Sequence, residues 1–122
     1  MQWQMTYDKA DGILYVKTSG VLEIESATQM RHEGAAILKQ EGCLRCLLDH
    51  RDIEADLLQT MDIYNLPKRY GELGLSHALK MAVVVPAWLK ENLQFYEIVC
   101  RNNGYSVSLF FDQESALAWL KA

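Results

Sequence analysis

Leu79-Lys80-Met81-Ala82-Val83-Val84-Val85-Pro86, residues 79–86, is apolar at every position from Met81 to Val85. Successive side chains of a strand point to opposite sides of its sheet, so a strand with one wet face alternates polar and apolar residues. A short run without that alternation is covered on both sides, as central strands of parallel sheets are. Pro86 ends the strand, since it brings no N–H to a ladder. Residues 79–85 therefore predict a central strand of an α/β protein, and the rest of the chain is read outward from it.

Toward the C-terminus, the spacing of Leu89, Asn92 or Leu93, Phe95 or Tyr96, Val99 and Cys100 predicts a helix over 88–103, with Asn103-Gly104 as a left-handed stop. Tyr105 to Phe111 alternates as a strand, and Asp112 caps a last helix anchored by Ala116, Leu117, Trp119 and Leu120. On the N-terminal side, Leu57 to Leu73 is helical in pattern, and Pro67 must kink or restart that helix. Leu44 to Asp49 reads as a short strand running into a charged loop, His50-Arg51-Asp52-Ile53-Glu54-Ala55-Asp56. Ser26 and Gln29 resemble a capping box for a helix that reaches Gln40 and stops at Gly42. Trp3, Met5 and Tyr7 alternate with Gln2, Gln4 and Thr6 in an opening strand; Lys9-Ala10-Asp11-Gly12 turns the chain, and Ile13 to Thr18 returns, ended by Ser19-Gly20.

The order is β-β-α-β-α-β-α-β-α, one domain over residues 1–122: a mixed, mostly parallel sheet with an antiparallel N-terminal hairpin. Right-handed crossovers put the helices mainly on one face. Polar alternation at Gln2, Gln4 and Thr6, and at Ser106 and Ser108, predicts that the other face is thinly covered.

Composition limits the function classes. The chain has 122 residues, half of them hydrophobic and 23% charged, which excludes disorder by composition. A net charge of −4 argues against nucleic acid, which needs a basic face. No apolar run approaches the roughly 20 residues of a membrane span. The opening residues lack a basic region followed by an apolar stretch, so no secretory signal is expected and the setting is cytoplasmic. Cys43, Cys46 and Cys100 fit that reducing setting. Cys43-Leu44-Arg45-Cys46 has thioredoxin-like spacing in the wrong order, after a helix and inside a strand. It also lacks the second pair that zinc requires, so a loop cysteine and a core cysteine are expected.

No glycine-rich phosphate loop and no nucleophile elbow is present, and His32, His50 and His77 are dispersed. The one polar concentration is Asp49-His50-Arg51-Asp52, at the carboxyl end of a strand where open α/β sheets place ligands. An imidazole among carboxylates can serve metal binding or acid–base work, and it is equally ordinary as capping before a helix. Tyr64 and Tyr70 on the Pro67 helix, with Trp88, Phe95 and Tyr96 on the next, either pack as core or line an apolar cleft.

The hairpin, the Leu-Leu-Asp strand with its charged turn, Tyr64-Asn65-Leu66-Pro67, and the closing Phe110-Phe111-Asp112-Gln113-Glu114-Ser115-Ala116-Leu117-Ala118-Trp119-Leu120 resemble the SpoIIAA-like group of the STAS superfamily. That resemblance implies a fold shared with lipid-binding CRAL-TRIO (Sec14-like) domains, and a non-enzymatic role akin to anti-sigma factor antagonists. Those proteins bind a partner kinase and are switched by phosphorylation of a serine just after the third strand. The corresponding stretch here has no Ser or Thr between His50 and Gln59, and Thr60 is its first hydroxyl. The uncharacterised bacterial STAS-like proteins lack the switch in the same way.

The expectation is thus a non-enzymatic module that binds a protein partner or its own copy as a homodimer. The alternative is a small-molecule, lipid-binding or membrane-peripheral protein, using a cleft between the Pro67 helix and the 88–103 helix. Contacts are expected at Asp49, His50, Arg51, Asp52, Thr60, Tyr64, Tyr70, Trp88 and Tyr96, with no catalytic residue, no metal ligand and no cofactor.

Overall fold

A strand at 80–84 flanked on both sides sets the architecture. The computed structural model describes residues 1–122. Its elements are β1 (Gln2–Asp8), β2 (Ile13–Leu22), α1 (Ile24–Glu41), β3 (Arg45–Asp56), α2 (Thr60–Tyr64), α3 (Leu66–Glu72), β4 (Lys80–Val84), α4 (Ala87–Asn102), β5 (Ser106–Phe110) and α5 (Gln113–Lys121). The sheet runs β1-β2-β3-β4-β5, with β1 antiparallel to β2 and every later pair parallel.

The apolar residues of β4 divide between two cores. Val83 and Val85 join Leu14, Val16, Cys46, Leu48 and Val107 beneath α1, α2, α3 and α4. Ala82 and Val84 join Ile13 and Leu47 beneath α5, through Ala116 and Leu120. Helices therefore lie mainly on one face, and α5 alone covers part of the other. Gln2, Gln4 and Thr6 of β1 stay exposed on that second face, as their alternation predicts.

Four local expectations are corrected. Residues 50–56 are not a loop. They continue β3, because β2 also runs on to Leu22 and pairs with β3 as far as Asp56. A ladder needs only backbone groups, so charged side chains standing in solvent do not prevent a strand; buried Ile53 between exposed Asp52 and Glu54 keeps the register. Gly20 does not end β2 but sits at a ladder irregularity with φ 86°, where a Cβ would meet Met1 Cα at 3.6 Å.

The helix expected over 57–73 is two short helices. Asn65 separates them, and Pro67 occupies the first turn of α3, where its missing N–H leaves nothing unpaired. Gln59 and Asp62 form the capping box of α2. Finally, α1 is capped at Glu23, one residue before its first turn. Ser26 belongs to the helix, its hydroxyl donating to the Glu23 carboxylate at 3.1 Å.

The thiols are packing groups. Cys43 donates to the carbonyls of Gly12 and Arg45 at 3.3 and 3.1 Å, and burial pushes the Cys46 and Cys100 thiols up to about 12.

Candidate functional site

The polar run in β3 straddles the sheet. Lys17 pairs with Asp49, but Ser19 pairs with Asp52, so two steps on β2 face three on β3. That extra residue is a bulge: alternation already parts Asp49 from His50, and the bulge shifts the phase so that Asp52 joins Asp49 while Ile53 stays in the larger core. Asp49, Arg51 and Asp52 gather around Lys17 on the α5 side, whereas His50 enters the larger core on the α1–α4 side.

Asp49 is buried and fully occupied. Its Oδ1 accepts from the Arg51 main-chain N–H and from Arg51 Nε, each at 3.0 Å, and its Oδ2 accepts from Arg51 Nη2 at 2.8 Å. Lys17 Nζ reaches Asp49 Oδ2 at 3.4 Å and Asp52 Oδ2 at 3.3 Å. Burial alone raises the Asp49 carboxyl; the Arg51 hydrogen bonds and the two cations override it and bring the group to about 2. A carboxylate so held is a permanent anion with no lone pair to spare for base chemistry.

His50 is 4% exposed. Its Nδ1 lies 2.6 Å from Thr18 Oγ1, and the Thr18 hydroxyl donates to the Asp49 carbonyl at 3.0 Å. Thr18 is 1% exposed and occupies the third inward position after Leu14 and Val16. Burial drives the imidazole down to about 4, against the neighbouring Asp49 charge, so the ring is neutral near pH 7. Nε2 has no protein partner, while no sealed side-chain N or O lacks one. Nε2 therefore keeps some accessible surface, on a ring that lines a cavity.

That cavity, about 100 Å³, lies between the sheet and α1–α4, and 18 of its 21 lining residues are hydrophobic. Val16 and Leu48 form its floor; Leu38, Ile63 and Leu93 wall it, with Tyr70 and Tyr96. Tyr96 donates to Met81 Sδ at 3.2 Å, so its oxygen accepts from Tyr70 at 2.7 Å. Burial raises both phenols well above their ordinary range. The Arg31 guanidinium stands 5.9 Å over the Tyr70 ring. Arg31 and Leu66 line both the cavity and a surface cleft beside α1, α2 and α3.

The residues singled out in the sequence thus occupy three places. His50, Tyr70 and Tyr96 line the cavity. Asp49, Arg51 and Asp52 make the ionic cluster on the opposite face. Thr60, first residue of α2, and the aromatics Tyr64 and Trp88 are exposed. Thr18, Lys17, Arg31 and Met81 are the partners sequence reasoning missed. Thr18 had left one signal, a hydroxyl in the apolar alternation of β2.

Several solved structures have the same fold. An uncharacterised protein of the DUF3478 family with a SpoIIAA-like fold, from Shewanella loihica PV-4, is 19% identical, with a TM-score of 0.61 over 98% of this chain and 92% of that one. An anti-sigma factor antagonist from Mycobacterium paratuberculosis is 12% identical, with a TM-score of 0.66 over 99% and 96% of the two chains. The anti-sigma factor antagonist SpoIIAA in its unphosphorylated form is 12% identical, with a TM-score of 0.60 over 99% of each. No protein-family model and no curated protein matches the sequence. The chain has the SpoIIAA-like fold.

Proposed function

We propose that this SpoIIAA-like chain is a non-enzymatic, STAS-like regulatory module that acts by binding another protein. The observation carrying this reading is the outer face of α4. Trp88, Phe95 and Ile98 recur at helical spacing and stay exposed, and Met61 and Tyr64 of the neighbouring α2 are exposed beside them. Large apolar side chains left exposed on two helices that touch mark an interaction surface. Asp62 lies between the two exposed residues of α2, and Glu91 lies one turn past Trp88. That acidic rim favours a partner with an apolar centre and basic edges over an anionic membrane or a second copy. The two anti-sigma factor antagonists of the same fold support the assignment by analogy. The sorting of Asp49 and His50 to opposite faces supports the absence of a catalytic pair.

The test places a photo-crosslinking residue at Ile98 in cells, with Gln4 on the other face as control. A saturable adduct with one protein at position 98, lost with Trp88→Glu, supports the reading. Equal labelling at both positions, or none, refutes it. Native mass spectrometry of the purified chain reports whether the adduct is a second copy.

A second reading, binding of a small apolar molecule or lipid, is favoured by the cavity. It lies under α1–α4 rather than only between α3 and α4, and its roughly 100 Å³ suits a compact molecule better than a long acyl chain. Uptake of toluene or phenol, followed by methyl chemical shifts of Leu48 and Leu93, tests it; shifts that stay put with both at saturation refute it.

A further inference from the structure

We infer that the cavity takes a compact, phenol-like molecule whose single hydroxyl or N–H donates to His50 Nε2. This inference rests on the small-molecule reading above and names its ligand class.

The argument begins with proton counting at Thr18. Its hydroxyl has one proton, and that proton is donated to the Asp49 carbonyl, which can only accept. With that proton on the carbonyl, the 2.6 Å contact with His50 Nδ1, whose direction depends on the ring's tautomer, is assigned as Nδ1–H donating to Thr18 Oγ1. A neutral imidazole protonated at Nδ1 has a bare lone pair at Nε2. The Thr18 hydroxyl, held by the Asp49 carbonyl, thus sets the tautomer, and strand alternation sets the direction of the ring. The result is one hydrogen-bond acceptor, held on a side chain 4% exposed, at the wall of a cavity lined otherwise almost wholly by apolar groups.

Such a wall recognises a donor and nothing more polar. A hydrocarbon of the right shape fills the cavity but strips Nε2 of any water and leaves it unpaired, which is the expensive error in a buried site. A carboxylate has no proton to donate to Nε2, and the one cation of the lining, Arg31, stands over the Tyr70 ring at the mouth, away from the His50 end of the site. An alcohol, phenol or N–H heterocycle matches both features. Size narrows the class further: an apolar cavity of about 150 Å³ in another protein takes benzene, so about 100 Å³ here holds one small ring or a short branched chain. Entry is from the α1 side, where Arg31 and Leu66 line both the cavity and the adjoining surface cleft.

The test uses the full chain and three probes of nearly equal size: phenol, anisole and toluene. Affinities are read from amide and methyl shifts, and the His50 tautomer from long-range proton–nitrogen correlations. Phenol is expected to bind about 10- to 100-fold more tightly than anisole or toluene, with Nε2 unprotonated before binding and its nitrogen signal moving on phenol addition. In His50→Phe the preference for phenol disappears, and the wild-type series is decisive by itself if that variant does not fold. Equal affinity for the three probes, or a proton found on Nε2, overturns the ligand class while leaving the small-molecule reading in place. Binding of none of them overturns both.

Discussion

Acidification is predicted to destabilise this protein through His50, well above the range in which carboxylates titrate. The ring sits at about 4 in the folded chain and near 6.5 when unfolded. Its folded value is depressed, so between these limits the unfolded state binds more protons, and stability falls as pH falls. The contribution is complete above the unfolded value and lost on the way down to about 4. Going from about pH 7.5 to about pH 5 protonates almost every unfolded copy of the ring and few folded ones, a loss of about 2 kcal/mol. For a chain of this length that is a fall in Tm of about 6–10 °C. The assay is urea unfolding followed by circular dichroism at several pH values, in wild type and in His50→Gln. The variant carries every other titrating group, so the difference between the two pH profiles isolates the imidazole. Parallel profiles, with no excess loss in the wild type between pH 7.5 and 5, would refute the claim that burial holds the ring neutral.

Asp49 acts in a lower window. Its folded value, about 2, is also depressed, so its contribution is present above the unfolded value near 3.8 and disappears as pH falls toward 2. Asp49→Asn should flatten that acid limb in urea titrations and lower stability at neutral pH by about 1–2 kcal/mol, because Arg51 and Lys17 lose their anion; an unchanged limb counts against the pairing. Leu120→Ala removes a fully buried anchor of α5 and should cost about 3 kcal/mol in chemical denaturation. A cost under about 1 kcal/mol would show that α5 contributes little to covering the second face. Gly34→Ala, in the middle of α1, places a methyl in ordinary contact with Met5 Cε at 3.5 Å and Leu14 Cδ2 at 3.9 Å. It should raise stability by about 0.5–1 kcal/mol through helix propensity, read from the thermal midpoint; a lowered midpoint would mean that α1 and β1 are packed too tightly for it.

The sequence alone determined the α/β class and the element order apart from the division of the 57–73 helix, and the resemblance carried by its closing Phe-Phe-Asp segment pointed to the SpoIIAA-like fold. These are properties of local pattern: an unbroken apolar run marks a strand covered twice, alternation marks one covered once, and helical spacing marks a stripe. Pro67 and Gly42 likewise announced a helix start and a helix stop, since their backbone constraints act within a residue or two. The strand over residues 50–56 was illegible, because it exists only where β2 is present to pair with it. Tertiary structure alone decided the site. Strand alternation puts Asp49 and His50 on opposite faces, but only the pairing with β2 gives one an ion cluster and the other an apolar cavity, and a one-residue bulge brings Asp52 to the Asp49 side. Tyr70 and Tyr96 turn inward while Tyr64 and Trp88 turn out, although all four looked alike as aromatics on helices. Which face a side chain meets is set by pairing register and by the packing of one element on another. Both are fixed by partners distant in sequence, such as Thr18 for His50 and Lys17 for Asp49, and no local pattern contains them.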